Sequence, residues 1–290
     1  MSTATLPRPA ADAAGAPTGT IAPLLPVVGA DVRVPLVTGA TVRYVNLDNA
    51  ASTPALAAVA EHVAAVLPTY ASVHRGAGWL SQLTTALHER SRAAVAAFTG
   101  ARPDDVVVFT RSTTDAVDLL ARSVPAGAAV LVCDLEHHAN LLPWQRRGAT
   151  VLAAGPTLDG TVEALLAELR RTPYALLAVT GASNVTGEVL PLARIVASAH
   201  AVGTRVAVDG AQLVPHRGID LAACGADWVA LSGHKLYAPF GAGALVGRRD
   251  WLDAAEPYLA GGGATLEVAV DGVRWAGGAQ RHEAGSPNVL

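Results

Sequence analysis

The sequence predicts an α/β fold in which a mainly parallel sheet carries helices on both faces. Short apolar runs, mostly without alternation and rich in Val and Leu, are typical of strands buried on both faces. Segments of good helix formers, with apolar residues at helical spacing, lie between these runs. The regular alternation of the two patterns indicates βαβ units.

The predicted elements cover most of the chain. Strands are predicted over five apolar runs: Val106–Phe109, Val130–Cys133, Leu176–Val179, Val206–Val208 and Trp228–Leu231. Helices are predicted over Ala55–Leu67, Leu80–Phe98, Thr114–Ser123, Val162–Arg171 and Leu192–Val202. In one of these helices Val162, Leu165 and Leu169 fall on a single stripe, which gives the helix one apolar face.

Composition and charge argue against several classes of protein. Hydrophobic residues make up 51% of the chain and charged residues 16%, which allows a substantial core. The formal net charge of −3 argues against a nucleic-acid-binding or polybasic membrane surface. No apolar run approaches the roughly 20 residues of a transmembrane helix. Cys133 and Cys224 form no Cys-x-x-Cys pair and are interpreted as core residues, and the expected location is the cytoplasm.

The first thirty residues differ from the rest. Residues 1–30 are rich in Ala, Pro, Gly and Thr, and their prolines prevent any long helix. A signal peptide needs a basic start followed directly by an apolar stretch, whereas Arg8 lies between prolines and the apolar Leu24 and Leu25 come late. Residues 1–30 are therefore predicted to form a flexible tail.

Polar residues follow each predicted strand, at the edge where parallel sheets bind ligands. After Phe109, the Ser/Thr cluster within residues 110–114 supplies hydroxyls and the free N–H groups of a helix start, which suit a phosphate. The alternative is a simple helix cap with Asp115 in the first turn. Asn184 lies in a polar loop bounded by glycines and would point into the same crevice, the alternative being that this loop is a simple connection. The sequence thus predicts a ligand site at this edge.

Two further strand ends carry ionisable side chains. His137 and His138 suit a metal, a stacked ring or acid–base work. Metal binding is disfavoured because adjacent strand residues point apart and the sequence offers no third ligand at a suitable spacing. Asp209 ends an apolar strand, where a buried acid needs a partner such as a cationic ring nitrogen, the alternative being a helix cap.

Lys235 directly follows another buried strand and lies among Ser232, Gly233 and His234. The chain has very few lysines, so amine chemistry is a reason to keep one here. Desolvation favours the neutral, nucleophilic amine that a Schiff base requires. Glycines after Phe240 have the spacing G-x-G-x-x-x-G, but a strand-like segment follows them, which disfavours a nicotinamide site. A phosphate cradle, a ring stacker, an acid and a Schiff-base lysine are together what pyridoxal phosphate requires.

Ordered motifs along nearly the whole chain after the tail resemble one enzyme family. They are Tyr44–Pro54, Phe109–Ala116, Glu136–Asn140, Ser183–Asn184, Val208–Gln212, Ser232–Lys235 and Glu283–Asn288. In this order they resemble the class-V aminotransferase-fold enzymes, and within these the cysteine desulfurase and selenocysteine lyase branch. The resemblance implies the fold of type I transferases that depend on pyridoxal 5'-phosphate (PLP).

The same resemblance implies catalytic roles for individual residues. Lys235 would form the internal aldimine and shuttle the Cα proton of the substrate. Asp209 would bond to the pyridine nitrogen and keep it protonated. His137 would stack on the ring and assist proton transfer.

Other matching residues would bind the cofactor or the substrate. Gln212 and Asn184 would contact the ring hydroxyl or the substrate carboxylate. The phosphate would be held by Thr113, Thr114, Ser232 and His234. His74 and Arg75 match a motif near the dimer interface and would reach the neighbouring active site.

The sequence departs from the family pattern in three places. Gly78–Trp79 stands where a second histidine usually follows the His-Arg-Gly motif, and Ser112 replaces a glycine of the phosphate loop. Residues 283–290 resemble the start of the family's C-terminal part, so the substrate-binding arginine and the persulfide cysteine of a desulfurase would lie beyond Leu290.

The resemblance therefore implies a division into domains and a reaction. A large PLP-binding α/β domain would cover residues 31–260, and residues 261–290 would start a truncated C-terminal small domain. The reaction would be β-elimination of sulfur or selenium from cysteine or selenocysteine by a homodimer, with a sulfur-acceptor protein as a further partner. Alternatives are a class-V aminotransferase, an epimerase or another lyase, a truncated non-catalytic PLP-binding homologue, and a nicotinamide-dependent reductase.

Overall fold

Strands and helices alternate along most of the chain. The structure is a computed structural model and describes residues 25–239 and 241–289. The strands are β1 (Arg33–Pro35), β2 (Thr41–Arg43), β3 (Asp105–Thr110), β4 (Val130–Cys133), β5 (Thr150–Leu152), β6 (Leu176–Thr180), β7 (Arg205–Asp209), β8 (Trp228–Ser232), β9 (Gly243–Arg248), β10 (Thr265–Ala269) and β11 (Gly272–Trp275). The α-helices are α1 (Ala57–Val66), α2 (Trp79–Phe98), α3 (Thr113–Ser123), α4 (His138–Gln145), α5 (Leu158–Arg171), α6 (Leu192–Ala201), α7 (Leu213–Arg217), α8 (Leu221–Cys224) and α9 (Asp250–Ala254).

A seven-stranded sheet forms the centre of the fold, in the order β3–β9–β8–β7–β6–β4–β5. Strands β8, β7, β6, β4 and β5 pair in parallel, whereas β9 runs antiparallel to both of its neighbours, β3 and β8. The predicted mainly parallel sheet is confirmed. Its parallel strands end at one edge, and the loops that leave this edge form the candidate site.

The sheet carries a core on each face. Along β6 the side chains alternate: Leu177 and Val179 join one hydrophobic cluster, and Leu176 and Ala178 join the other. The first cluster also contains the apolar stripes of α5 and α6, and the second contains those of α3 and the fully buried Trp144 of α4. Both faces are therefore covered by helices, which explains why the strand sequences are apolar throughout.

The segments at the two ends of the described chain form small antiparallel hairpins. Strand β1 pairs with β2, and β10 pairs with β11, both outside the central sheet. A short 3-10 turn over Gly278–Arg281 follows and packs against β3. The predicted tail, residues 1–30, lies outside the described residues up to position 24, and the division at residues 260 and 261 stays a prediction.

A partly buried ion pair attaches the C-terminal segment to the sheet. Arg92 on α2 donates hydrogen bonds to both carboxylate oxygens of Glu283, at 2.8 Å each, and to the carbonyl oxygen of Val107 at 2.6 Å. Glu283 also accepts the N–H of Phe109 at 2.6 Å. Burial raises the pKa of Glu283, but its contacts with His88 and Arg92 and the Phe109 N–H outweigh burial, so the pKa lies below its usual range.

We expect Glu283→Gln to lower the free energy of unfolding by about 1–3 kcal/mol, because the partly buried Arg92 loses one of its two carboxylate partners and keeps only the exposed Glu89. Urea unfolding at neutral pH measures this loss. The pKa of Glu283 is lowered below 4.5 in the folded chain, so its carboxylate stabilises the fold fully above 4.5. This stabilisation, and with it the loss in the variant, should shrink as the pH falls from 4.5 through the lowered pKa. The control is Glu267→Gln, which breaks an exposed ion pair with Arg274 and should change little. Equal losses in the two variants would contradict the prediction.

Candidate active site

One cavity of about 480 Å³ lies at the carboxyl edge of the sheet. It is lined by the loops after β4, β6, β7 and β8 and by the start of α3. The structure brings together at this cavity all nine residues predicted to hold a cofactor: Thr113, Thr114, His137, Asn184, Asp209, Gln212, Ser232, His234 and Lys235. Their roles stay predictions, but their placement around one cavity follows from the strand order.

The start of α3 forms one end of the cavity. Ser112 caps the helix, with its hydroxyl 3.4 Å from the N–H of Asp115. Ser232 Oγ accepts the N–H of Thr113 at 2.7 Å and lies 2.9 Å from its hydroxyl, which ties the helix start to the end of β8. The exposed Thr114 finds no side-chain hydrogen-bond partner among the described residues. Its hydroxyl, together with the helix start, therefore suits an anion.

Gly243 explains how α3 comes so close to the sheet. A Cβ at this position would lie 2.8–2.9 Å from the carbonyl oxygen of Leu231 and from the backbone of Ser112. Backbone atoms cannot give way cheaply at such distances, so only glycine fits. Gly243 also begins strand β9 and not a helix, so the glycines here do not form a nicotinamide-binding turn.

The floor of the cavity holds a buried acid with few partners. Asp209 is 4% exposed, and within the described residues its carboxylate accepts one hydrogen bond, from the N–H of Ala211 to Oδ1 at 2.9 Å. Burial raises the pKa of Asp209, while the Ala211 N–H and the charges of Lys235 and His137 oppose this effect. A protonated ring nitrogen would supply the hydrogen bond and the charge that this carboxyl lacks.

His137 lies at the cavity, and its ring is held by the backbone N–H of Ala139. It is the N-cap of α4, and its Nδ1 accepts the N–H of Ala139 at 3.1 Å. In the neutral imidazole this bond places the proton on Nε2. The exposed ring is therefore available for stacking. The neighbouring His138 ring lies 6.0 Å away between centroids, and it does not line the cavity.

A loop from the N-terminal region closes another side of the cavity. Gln212 Nε2 donates to the carbonyl oxygen of Ala50 at 2.7 Å. The backbone oxygen of His234 accepts a hydrogen bond from the N–H of Thr53 at 2.9 Å, and Nδ1 of the His234 ring lies 3.2 Å from Ser52 Oγ. Burial lowers the pKa of His234, and the charge of Lys235 lowers it further. His234 is thus favoured as a neutral side chain that positions this loop.

Lys235 is the only lysine in the 290 residues. It is half-buried at the end of a 3-10 turn over Gly233–Lys235 that directly follows β8. Among the described residues its ammonium group has no carboxylate within ion-pair distance. Two residues later, Tyr237 has a backbone φ of 59°, in the left-handed region that a bulky residue rarely adopts. The N–H of Tyr237 donates to Thr53 Oγ1 at 2.9 Å, which holds this turn in place.

His74 and Arg75 lie away from this cavity. They line a separate cavity of about 520 Å³ beside α2. His74 Nε2 lies 3.1 Å from Glu89 Oε1, and Arg75 donates to the carbonyl oxygens of Gly262 and Gly285. Through these two hydrogen bonds Arg75 holds the C-terminal segment of the same chain in place. That these two residues reach the site of a neighbouring subunit stays a prediction.

The cysteines lie outside the cavity, and the described residues contain no cluster of three or more His, Cys, Asp or Glu side chains placed to hold a metal ion. Cys133 is buried, and burial raises the pKa of its thiol to about 11. Cys224 is partly buried, and burial again raises its pKa. Thiols with raised pKa values are poor nucleophiles at neutral pH, which agrees with their interpretation as core residues.

Comparison with known families identifies the chain. The family model described as aminotransferase class-V matches residues 45–290. The chain belongs to the class-V aminotransferase family. The resemblance seen in the ordered sequence motifs is confirmed, and the fold is that of this family.

The relatives of this class-V chain include cysteine desulfurases. A cysteine desulfurase from Dickeya dadantii is 42% identical over 84% of this chain and 62% of its own length. The crystal structure of a cysteine desulfurase from Escherichia coli superimposes with a TM-score of 0.72 at 38% identity, over 84% of this chain and 64% of that one. A cysteine desulfurase from Thermococcus onnurineus gives a TM-score of 0.76 at 32% identity, over 83% and 63%. The chain thus spans less than two thirds of the length of these relatives.

Class-V aminotransferases and cysteine desulfurases depend on PLP, and the cavity of this class-V chain suits that group. The helix start at Thr114 suits the phosphate, and the exposed imidazole of His137 suits the face of a ring. The buried Asp209 carboxyl lacks the partner that a ring nitrogen would provide. Lys235 lines the same cavity and supplies the amine.

Several wall residues of the cavity were not among the residues predicted to bind the cofactor. They are Asp48, Ala50, Ala51, Ser112, Ala139, Thr180, Ala182 and Ala211. The first three lie in the motif Tyr44–Pro54, which is far from the strand ends in sequence, so only the family motif could point to them. Most of the others are small residues that flank a predicted site residue, where a small side chain leaves room for a ligand.

Proposed function

We propose that the chain is a PLP-dependent enzyme that acts on an amino acid through Lys235 and removes sulfur or selenium from cysteine or selenocysteine. One observation carries the proposal: the only lysine of the chain shares a cavity with a buried, under-partnered acid, an exposed imidazole and a helix start suited to phosphate. The choice of sulfur chemistry is supported by the relatives named cysteine desulfurase.

Each residue has a distinct part in the proposed reaction. PLP, when bound, supplies a conjugated ring that stabilises negative charge on the substrate's α-carbon. Asp209 holds the proton on the ring nitrogen, and the cavity floor keeps water from this carboxyl. His137 would cover one ring face. Lys235 would hold the cofactor through its Nζ and would move the α-proton of the substrate.

Binding and orientation fall to the remaining residues. The hydroxyl of Thr114 and the start of α3 bind the phosphate, and Thr113 and Ser232 fix that helix start against β8. Gln212 joins the loop at Ala50 to the cavity through Nε2, and its side-chain oxygen, which accepts no hydrogen bond from the described residues, would be available to the cofactor. Asn184, on the exposed loop after β6, would contact the ring hydroxyl or the substrate carboxylate.

We also propose that the enzyme works as a cytoplasmic homodimer that passes sulfur to an acceptor protein. Trp79 is 72% exposed and follows the motif that contains His74 and Arg75, which supports a subunit contact there. Among the helices described, none is both long and apolar enough to cross a membrane.

The test is a visible absorbance spectrum of the purified chain with added PLP, followed by addition of cysteine. We expect an absorbance band of bound PLP and then, with a thiol reductant such as dithiothreitol, the conversion of cysteine to alanine and sulfide. The reductant accepts the sulfur and supplies the two electrons, because the thiols of Cys133 and Cys224 are not suited to do so. A band without sulfide, but with a keto acid formed from the amino acid, would favour the aminotransferase alternative instead. If folded protein gives no band, the proposed function is wrong for this chain.

A further inference from the structure

Glu136 is a buried acid that the proposed reaction does not use. It lies between the end of β4 and His137 and is 5% exposed. No arginine or lysine among the described residues pairs with it. An uncompensated carboxyl in the interior is costly, and a purely structural position is often better filled by an apolar residue. The position of this acid beside the cavity therefore indicates a role in the site.

The hydrogen bonds of Glu136 have a fixed direction. Oε1 accepts the N–H of Thr180 at 2.8 Å, and Oε2 accepts the side-chain N–H of Asn140 at 2.7 Å. The amide of Asn140 cannot turn round, because its Oδ1 accepts the indole N–H of Trp144 at 3.1 Å. Both ends of this chain of bonds are obligate donors, so each oxygen of Glu136 accepts one hydrogen bond, whether the carboxyl is ionised or protonated.

These bonds connect two walls of the candidate site. Thr180 lines the cavity at the end of β6, and it lies opposite Asp209 in the register of β6 and β7. Asn140 lies in the first turn of α4, and its backbone N–H donates to the carbonyl oxygen of His137 at 2.7 Å. One carboxyl thus joins the strand beside Asp209 to the helix that carries His137.

The electrostatics of Glu136 are also linked to the site. Burial raises the pKa of Glu136 to about 8, against the effect of its two hydrogen bonds, and the nearby charge of Asp209 raises it further. Two buried acids, Glu136 and Asp209, therefore lie near the floor of one cavity. A cationic ring nitrogen would pair with Asp209, whereas Glu136 has only its two hydrogen bonds.

We propose that Glu136 is a positioning residue. Its paired hydrogen bonds to Asn140 and Thr180 hold the ring of His137 against the cofactor face and hold the end of β6 beside Asp209. The inference rests on the proposed function where it concerns the cofactor. The bonds that orient His137 are formed within the chain, so the orientation of its ring is expected in the cofactor-free protein as well.

The test reverses the direction of one hydrogen bond. In Glu136→Gln, the side-chain NH₂ group faces the NH₂ group of Asn140, so that bond is lost while the bond from Thr180 is kept. Adding Asn140→Asp restores it, because the carboxylate introduced by this second substitution accepts from the new amide at position 136 and from the indole of Trp144. We expect Glu136→Gln to raise the dissociation constant for PLP about tenfold, and the double variant to return to within about threefold of the parent.

A second readout needs no cofactor. The imidazole ¹⁵N signals of His137, assigned by their absence in His137→Ala, report whether Nδ1 accepts a hydrogen bond. We expect the parent signal of an accepting Nδ1 to be lost in Glu136→Gln and regained in the double variant. If the parent binds no PLP, the proposed function fails, while these signals still decide the positioning role.

Glu168→Gln is the matched control. Glu168 is a buried acid on α5 that accepts the hydroxyl of Tyr174 at 2.7 Å, away from the cavity. This variant should lower thermal stability without moving the PLP dissociation constant or the His137 signals. The positioning role is overturned if Glu136→Gln behaves in the same way, or if the double variant folds without recovering either readout. If Glu136→Gln does not fold, the double variant decides alone, and its failure to fold would also overturn the inference.

Discussion

Replacing Lys235 by alanine is expected to abolish covalent attachment of PLP to the chain. Lys235 is the only lysine, so no other ε-amino group can take over its role. Borohydride reduction of the parent in the presence of PLP should add the mass of one reduced cofactor to the intact chain, and peptide mapping should place it at Lys235. The variant should gain no mass, and sulfide release should fall to background.

The control for this prediction is Lys235→Arg, which keeps the positive charge in the cavity but cannot form the bond. It should bind PLP reversibly and also gain no mass after reduction. The other amine of the chain is the N-terminal α-amino group, which peptide mapping separates from Lys235. A reduced adduct of equal yield in Lys235→Ala would show that the cavity does not direct the chemistry.

Asp209→Asn is expected to have two opposite effects. Sulfide release should fall about 100- to 1,000-fold, because a neutral amide does not hold a proton on the ring nitrogen. The cofactor-free protein should become more stable by about 1–2 kcal/mol, because a buried carboxyl with one hydrogen bond is replaced by an uncharged group. Steady-state kinetics and urea unfolding of the cofactor-free chain measure the two effects.

The gain in stability of the cofactor-free Asp209→Asn variant should depend on pH. Burial raises the pKa of Asp209 above 3.8 in the folded chain, so the folded state binds the proton more tightly than the unfolded state. The cost of this carboxyl is therefore absent well below 3.8 and grows as the pH rises through the raised pKa. The stability gained in Asp209→Asn should grow over the same range. A gain that is constant with pH would contradict the argument.

Asp227→Asn provides a matched control at the opposite edge of the sheet. Asp227 is equally buried, but it accepts hydrogen bonds from Arg248 at 2.5 Å and from the N–H of Val206 at 2.8 Å. Removing its charge leaves Arg248 without its partner, so stability should fall. The same substitution is thus expected to stabilise the chain at the cavity and to destabilise it where the acid is paired.

Much of the fold was predictable because its signals are local. The strands β4 and β8 begin at the first residue of their predicted apolar runs, and β4 also ends where predicted, since Val- and Leu-rich runs of this length are buried on both faces. The direction of β9 could not be predicted, because it depends on pairing with β3 and β8, which are distant in sequence. Helix α4 was missed, since it is short and has Pro143 in its interior.

Some residues of the candidate site could be predicted from the sequence, and others could not. Lys235, Asp209 and His137 were found because each follows an apolar run, and parallel strands end at one edge. Ala50 could not be found in this way, since it reaches the cavity through a bond from Gln212, more than one hundred and fifty residues later. Glu136 also follows a strand, but its importance lies in partners on β6 and α4 that only the three-dimensional structure brings together.

The under-partnered carboxyl of Asp209 also has a consequence for the protein outside the reaction. A ligand that binds only the folded chain adds RT ln(1 + [L]/Kd) to its stability, about 2.7 kcal/mol at a hundredfold excess over Kd. Relief of the cost of burying Asp209 would be part of that binding free energy. Bound PLP would therefore lower the fraction of unfolded chain that a protease can cleave.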